Sequence, residues 1–589
     1  MAMHEANPNH SRSSGLKWRR GLLWLAPSAF LLVFFYFPLA RILSVSFRSA
    51  ELAEAWSKAA PLAARALGFT LWQAALSTLI TLLVGLPLAW FFARYTFRGK
   101  RLLHALTAVP FMLPTVVVAA GFNALLGPRG WVNLALMQAL DLSAPPITFV
   151  GTLGAILLAH VFYNTTIVVR VVGGTWAQLD PRLQEAARVL GASPARAFRT
   201  VTLALLRPAV LAASLLVFLF DFTSFGVILL LGAGQFHTLE VETYIQSLRL
   251  LDLPVAALLS LVQLLCVLLI SLLYSRALSH IPSSAGNRAA QMSTRRPTTL
   301  RERIFSASMI GVILCLFILP MAALPARSLV QLEPARGERG EFQPAVTLDN
   351  YRELFINRSG SVFYVPPARA IAISLAYATF TMLLAVGLGF PAASALARPG
   401  RLERLLDPFL MLSLGASAVT LGLGYILAFG RPPLALLASP LLIPLAHTTV
   451  ALPFVMRTLQ PALAAIPQRL RDAAANLGAS PRKAWIVVDL PIVARAALSA
   501  GVFAFTISLG EFGATAMLFR PQYPTMTVAI SRFLSQPGGL NYGQAMAMAT
   551  ILLVVCAGAI LLIERIRIPG GDVYVTNHPE NMENNARTD

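Results

Sequence analysis

Charged residues are scarce in this chain of 589 residues. Lys, Arg, Asp and Glu together make up 12% of it, and hydrophobic residues make up 57%; a soluble domain has about 25% charged residues. The three cysteines, Cys266, Cys315 and Cys556, all lie in apolar runs, which argues against a disulfide framework or a cysteine metal site. No GxxxxGK[ST] phosphate loop occurs, so we do not expect this chain to bind ATP itself. What remains is the composition of a membrane protein with many spans.

The excess of basic residues does not indicate a nucleic-acid partner. The formal net charge is +21, but Lys and Arg are scattered at the ends of apolar segments. Basic residues at such positions hold a loop on the cytoplasmic side of a membrane. With both termini in the cytoplasm, every basic cluster falls on that side. We therefore predict a multi-pass protein of the bacterial inner (plasma) membrane.

Apolar runs long enough to cross about 30 Å of hydrocarbon occur in two sets of six. The first set lies near 21–43, 68–93, 103–126, 148–170, 209–232 and 254–275, and the second near 305–326, 368–396, 406–429, 435–456, 496–518 and 542–563. The predicted fold is all-α, with about 12 transmembrane helices in two parallel six-helix repeats. Its predicted parts are a cytoplasmic tail 1–20, a membrane domain 21–277, a cytoplasmic linker 278–303, a second membrane domain 304–566 and a disordered cytoplasmic tail 567–589.

One predicted cytoplasmic loop occurs twice with closely similar sequence. The segment 185–203, EAARVLGASPARAFRTVTL, returns as DAAANLGASPRKAWIVVDL at 472–490, a displacement of 287 residues. The same displacement relates His160 to His447 and Phe225 to Phe512. An ungapped match over about 70 residues indicates a duplicated membrane domain.

The repeated loop predicts a short helix, a turn and a second short helix. Pro181 suits the first turn of a helix, Gly191 ends that helix, and Ser193-Pro194 begins the next. Small residues and one acid at a fixed place suit docking into a groove of another protein. The alternative is an amphipathic loop that lies on lipid headgroups, and the matched second copy makes that alternative less favoured.

This loop resembles that of ATP-binding-cassette importer permeases, in which a coupling helix sits in a cleft of the ATPase subunit. The matching residues are Glu185, Ala186, Ala187 and Gly191 in the first copy and Asp472, Ala473, Ala474 and Gly478 in the second. Two departures are Asp472, where Glu is usual, and Ala204, where Pro is usual. The resemblance implies two copies of a separate ATPase subunit, a separate extracytoplasmic solute-binding protein, a lipid bilayer as surroundings and no cofactor.

A single chain with both membrane halves looks like the fused permeases of the iron(III) and thiamine importers. The segments 222–226 and 508–513 resemble segments typical of that group. On this resemblance and on the acids described next, thiamine is preferred to iron(III).

Two acids fall inside predicted spans, Asp221 and Glu511, and the repeat pairs Glu511 with Ser224. Because a buried acid in a membrane is costly, it marks a pathway or a satisfied pair by default. These three residues could line a cation-favouring passage. In the alternative, each acid is satisfied by a neighbouring helix, with Arg170 and Arg457 among the conceivable partners. For His160 and His447, hydrogen bonds between helices are favoured over a metal site.

Two other classes of protein would also carry intramembrane polar residues. An ion-coupled secondary transporter uses repeats and buried acids, but it needs no cytoplasmic docking loop. A membrane-embedded enzyme would need a catalytic cluster, and no HExxH motif or carboxylate-rich helix pair is present. The sequence therefore favours an importer permease that catalyses no covalent reaction.

Overall fold

A computed structural model describes most of the chain. The described residues are 23–48, 52–279, 294–331, 345–356, 366–397, 400–413, 417–432 and 434–566. The predicted tails 1–20 and 567–589, and most of the predicted linker 278–303, lie outside these ranges. Apart from one pair of antiparallel two-residue strands, β1 (Val330–Gln331) and β2 (Ala345–Val346), the described residues are helices and connecting turns.

The described residues of the first half form eleven helices. They are α1 (Leu23–Phe47), α2 (Ala53–Arg94), α3 (Lys100–Met112), α4 (Thr115–Leu126), α5 (Trp131–Leu140), α6 (Leu153–Gln178), α7 (Pro181–Val189), α8 (Pro194–Phe222), α9 (Gly226–Leu231), α10 (Leu239–Tyr244) and α11 (Leu253–Leu278).

The second half repeats the long helices of the first in the same order. Its helices are α12 (Leu300–Ser328), α13 (Asp349–Arg352), α14 (Pro367–Leu396), α15 (Arg401–Leu412), α16 (Ala418–Phe429), α17 (Leu442–Ala464), α18 (Gln468–Asn476), α19 (Arg482–Gly510), α20 (Gly513–Leu518), α21 (Met526–Ser535) and α22 (Gly539–Ile563).

Ten of these helices are long and apolar enough to cross a membrane within the described ranges. The predicted all-α class with many spans is confirmed. The predicted span 103–126, which contains Pro110 and Pro114, is sharply bent: α3 and the helical segment Thr115–Leu140, which begins with α4, meet at 111°. Pro114 forces this bend: it lacks an N–H and drives Leu113 into extended backbone (ψ 141°). The predicted span 406–429 is likewise two shorter helices, α15 and α16.

The fifth predicted span of each half is also interrupted. Helix α8 ends at Phe222 and α9 starts at Gly226, and in the second half α19 ends at Gly510 and α20 starts at Gly513. The predicted acids therefore lie at helix breaks and not in the middle of continuous spans. Interrupted helices inside a membrane are tolerated where other groups satisfy the freed backbone.

A close glycine–valine contact joins the second and fourth spans of both halves. A Cβ on Gly85 of α2 would lie 2.7 Å from Cβ of Val168 on α6. A Cβ on Gly389 of α14 would lie 2.7 Å from Cγ1 of Val455 on α17. Since glycine allows helix backbones to approach in a membrane, the repeated sequence produces the same packing twice.

The first helix of each half packs on the opposite half. On α1, the Phe34 ring lies 5.7 Å from that of Phe429 on α16. On α12, the Phe317 ring lies 5.8 Å from that of Phe162 on α6. The same helix approaches α4 closely, because a Cβ on Gly121 would lie only 2.9 Å from the carbonyl oxygen of Pro320. This exchange of first helices makes one continuous apolar core from both halves.

Replacing Gly389 with Val is expected to reduce the free energy of unfolding by about 2 kcal/mol, because overpacking a close contact costs roughly 1–3 kcal/mol. Gly387→Val is the matched control, since a Cβ there meets nothing within 4 Å on the same helix. Thermal unfolding of the two purified variants in detergent measures the difference. Equal midpoints would contradict the proposed packing.

Candidate functional site

A histidine in the first half bridges an acid and a serine at the break after α8. His160 on α6 has its Nε2 2.8 Å from the Ser224 hydroxyl and its Nδ1 3.3 Å from Oδ1 of Asp221, the latter outside hydrogen-bonding geometry. Asn164, one turn along α6, donates to the same carboxylate oxygen at 2.6 Å. Gln73 on α2 donates to the Asp221 carbonyl at 2.8 Å. The cluster thus joins three helices and supplies partners for the end of α8.

The second half contains the matching histidine in the same role. His447 on α17 lies 2.8 Å from the hydroxyl of Ser508, through Nδ1, and 3.2 Å from Oε2 of Glu511, through Nε2. The Glu511 carboxylate accepts the backbone N–H groups of Ala514 and Thr515 at 2.8 and 3.0 Å. It therefore caps the start of α20, where a negative group is favourable.

The acid and the serine exchange places between the halves. The displacement of 287 residues pairs Asp221 with Ser508 and Ser224 with Glu511. Each histidine therefore contacts one acid and one serine, in opposite order. A residue-by-residue comparison of the repeats finds a mismatch at both positions, although the pair of contacts is conserved between the halves as a unit.

Sequence reasoning missed the contribution of the second spans. Thr381 on α14 accepts a hydrogen bond from Ser508 at 3.3 Å, and Gln73 on α2 belongs to the first cluster. The second spans also repeat, but with a displacement of 304 residues instead of 287. This displacement relates Pro87 to Pro391 and Ser77 to Thr381. A search with one fixed displacement cannot find it, because the loops between spans differ in length.

Two phenylalanines meet where the halves touch. The rings of Phe225 and Phe512, which are repeat counterparts, stack with centroids 5.8 Å apart and planes at 24°. Both are 5% exposed. A Cβ on Gly226 would lie 3.1 Å from the Phe512 ring, so the residue after the stack must be small. The stack lies one residue beyond Ser224 and Glu511.

The repeated loop forms the two short helices that the sequence predicts. Helices α7 and α18, called the repeat helices below, each have nine residues. Leu190 and Leu477, counterparts directly after these helices, are 88% and 89% exposed, and Leu183 and Leu470 are 50% and 45% exposed. Two matched, exposed apolar stripes indicate a surface that another molecule covers.

Gly191 and Gly478 end the repeat helices as predicted. Their φ angles are +90° and +79°, and a Cβ at either position would meet nothing within 4 Å. Glycine is therefore needed for the left-handed backbone and not for space. Around Gly191, Ser193 accepts a hydrogen bond from the Arg196 N–H and so starts the next short helix.

The predicted motif residues lie on or directly after the repeat helices. Glu185, Ala186, Asp472 and Ala473 are exposed, and Ala187 and Ala474 are partly buried. The described partners of the two acids include Asn164 and the two histidines, while Arg457 pairs with Asp407 at 3.1 Å. The interhelical role predicted for the histidines is confirmed by their contacts. Within the described residues, no three His, Cys, Asp or Glu side chains gather into a metal site.

Replacing His447 with Leu is expected to lower stability by about 2 kcal/mol, because buried polar partners lose a hydrogen bond. His237→Leu serves as control, since that side chain is 49% exposed although it also contacts a carboxylate. Thermal unfolding in detergent distinguishes the two. A loss no greater for His447 than for His237 would show that the bridge contributes little.

Known proteins resemble this chain along most of its length. A family model described as a binding-protein-dependent transport system inner membrane component matches residues 85–284, a range that includes the first repeat helix. The probable ABC transporter permease protein y4fN of Sinorhizobium fredii is 27% identical over 515 residues, covering 85% of this chain and 88% of that protein. The thiamine transport system permease protein ThiP of Brucella abortus is 27% identical over 504 residues, covering 84% and 86%.

A shorter relative corresponds to less than half of the chain. The putative 2-aminoethylphosphonate transport system permease protein PhnU of Salmonella paratyphi A is 29% identical over 266 residues, which cover 44% of this chain and 92% of that protein. Its match is about half as long as those of the two relatives above, which span most of both membrane domains. The repeat, the two exposed repeat helices and these relatives agree: over most of its length the chain is similar to inner-membrane permeases of binding-protein-dependent ABC importers that carry two membrane domains in one polypeptide.

Proposed function

We propose that this permease carries thiamine across the bacterial inner membrane, driven by two separate ATPase subunits. The observation that carries the ATP-driven part is the matched pair of exposed repeat helices. A secondary transporter has no use for two such surfaces. The chain itself contains no phosphate loop, so hydrolysis belongs to the partners, and the permease catalyses no covalent reaction.

The ATPase subunits dock on the repeat helices, one on each. Glu185, Ala186, Ala187 and Gly191 form the first coupling site, and Asp472, Ala473, Ala474 and Gly478 the second. Small residues let a partner approach closely, and the exposed leucines at 190 and 477 supply apolar area that gains stability when it is covered. Basic residues on this loop, Arg182, Arg188 and Arg196, support a cytoplasmic position and hence two cytoplasmic termini.

The passage runs between the halves, along the breaks that follow α8 and α19. Asp221, Ser224 and Glu511 lie beside the stacked rings of Phe225 and Phe512. In the described conformation these rings stack on each other and so block the proposed passage between the halves. When the repeat helices move, the halves rock and the rings part, which exposes the acids to the passage. A separate extracytoplasmic binding protein delivers the solute on the opposite side.

The chemistry beside the stack suits an aromatic cation. Two carboxylates favour positive charge, and aromatic faces attract cations that lie over them. Thiamine is a cation with two aromatic rings, one of them a positively charged thiazolium, and relatives that match more than four fifths of this chain bear its name. The same carboxylates disfavour an anionic phosphonate, which the shorter relative is named for.

The docking proposal predicts that Leu190→Glu and Leu477→Glu together abolish co-purification of the ATPase subunits. Folding should be unaffected, because both side chains are almost fully exposed. Leu250→Glu is the control, since Leu250 is 61% exposed in a different loop. Pull-down from membranes and thermal unfolding of the same samples measure the two effects.

Transport that continues without any ATPase partner would refute the docking proposal and favour an ion-coupled transporter. A variant that unfolds would be recognised by its melting curve. Gly191→Val combined with Gly478→Val is a second way to disturb the two docking sites, because a β-branched residue is strained at these φ angles.

The thiamine proposal predicts that Asp221→Asn combined with Glu511→Gln lowers uptake of labelled thiamine at least tenfold, since removal of both charges weakens attraction for a cation in a low-dielectric passage. Uptake is measured in proteoliposomes that contain the permease, its ATPase subunits and its binding protein. The permease without these substitutions should take up thiamine in preference to iron(III) and 2-aminoethylphosphonate. Uptake of either competitor instead would overturn the assignment.

A further inference from the structure

The second repeat helix is tied to its span by a salt bridge. Nε of Arg471, in the middle of α18, donates to both carboxylate oxygens of Asp489 at 2.9 and 3.0 Å. The side chain of Asp489 is 9% exposed and that of Arg471 is 25% exposed. A charged pair with this geometry and burial is stronger than an exposed surface pair.

The same arginine is part of a network that reaches the motif acid. Its Nη1 donates to Oε1 of Gln468 at 3.4 Å, and Nε2 of Gln468 donates to Oδ1 of Asp472 at 3.1 Å. The helix face around Asp472 is therefore connected, through Arg471, to the beginning of α19.

Within the part of the chain that the structure describes, the first repeat helix packs on its span without an equivalent salt bridge or amide link. The repeat places Gln184 at the position of Arg471, Thr202 at that of Asp489 and Pro181 at that of Gln468. Neither a charge pair nor the amide link can form with these residues. Instead, Gln184 and Thr202 line a shallow cleft, open to solvent, between α7 and the neighbouring spans. The salt bridge of one copy thus corresponds to an open cleft in the other.

Asp489 lies at the foot of the span that leads to the central cluster. It ends the π-helical turn Trp485–Asp489, and the helix continues without interruption to Gly510, next to Glu511. At about 1.5 Å per residue, this helix extends roughly 33 Å from Asp489 to Glu511. A displacement of α18 is therefore passed to a rigid element that ends beside Phe512.

We propose that Arg471 and Asp489 form a clamp that makes the two ATPase docking sites mechanically unequal. The second repeat helix moves with its span as one body, whereas the first can shift against its span through the cleft. Arg471 is then a positioning residue that transmits motion and does not touch the transported solute. The inference rests on the docking part of the proposed function and is independent of the thiamine assignment.

The first test measures local mobility in the purified chain alone by amide hydrogen exchange. Arg471→Gln, which installs the first copy's residue, should accelerate exchange in 468–476 about fivefold, because a charge-assisted hydrogen bond is lost. Exchange in 181–189 of the same molecule should not change. Arg469→Gln is the matched control on the same helix, and the reversed pair Arg471→Asp with Asp489→Arg should restore slow exchange. Unchanged exchange in the Arg471→Gln variant would overturn the clamp.

The second test measures coupling in the complex with ATPase subunits. Arg471→Gln should leave the ATPase subunits bound. It should reduce at least threefold the stimulation of ATP hydrolysis, which is the ratio of the rate with the loaded binding protein to the rate without it. Arg471→Lys should retain part of that ratio. If the subunits are bound and the ratio stays at the value of the unaltered protein, the inference is refuted. If no ATPase binds the unaltered chain, the docking proposal fails instead, while the exchange measurement still decides on the clamp.

Discussion

Backbone groups inside a bilayer find no water, so a helix can be interrupted there only where side chains satisfy the groups it frees. This constraint explains the central cluster. Glu511 accepts the N–H groups that begin α20, and Gln73 donates to the carbonyl of Asp221 at the end of α8. Asn164 donates to the Asp221 carboxylate, and His447 lies against that of Glu511. The breaks, the stacked phenylalanines and the proposed passage all depend on that satisfaction.

Periodicity and duplication in the sequence predict most of the architecture, and local geometry accounts for what they miss. The repeat helices and the left-handed glycines at 191 and 478 follow from residues that act on their immediate neighbours. The bend at Pro114 does not follow from hydropathy, because an apolar run has the same composition whether it is straight or bent. Thr381 could not be placed from the sequence, since its contact with Ser508 joins two spans whose copies repeat at different distances along the chain, 304 and 287 residues.

Duplication followed by divergence is visible at two levels. At the centre, acid and serine have exchanged positions while the histidine still contacts one of each, so the same pair of contacts is made by different positions. At the repeat helices the divergence is unequal: Arg471 and Asp489 connect one copy to its span, and Gln184 and Thr202 leave a cleft in the other. A symmetric pair of docking surfaces is therefore attached to an asymmetric frame.

The exchange of first helices has a consequence for how the two halves can exist. Because α1 packs on α16 and α12 packs on α6, neither half can bury its apolar core without a helix of the other half. Cutting the peptide between the halves would leave two interlocked pieces held by their apolar contacts. A half expressed alone would expose the groove that its missing partner helix fills. Fusion therefore supplies equal amounts of two pieces that each complete the other.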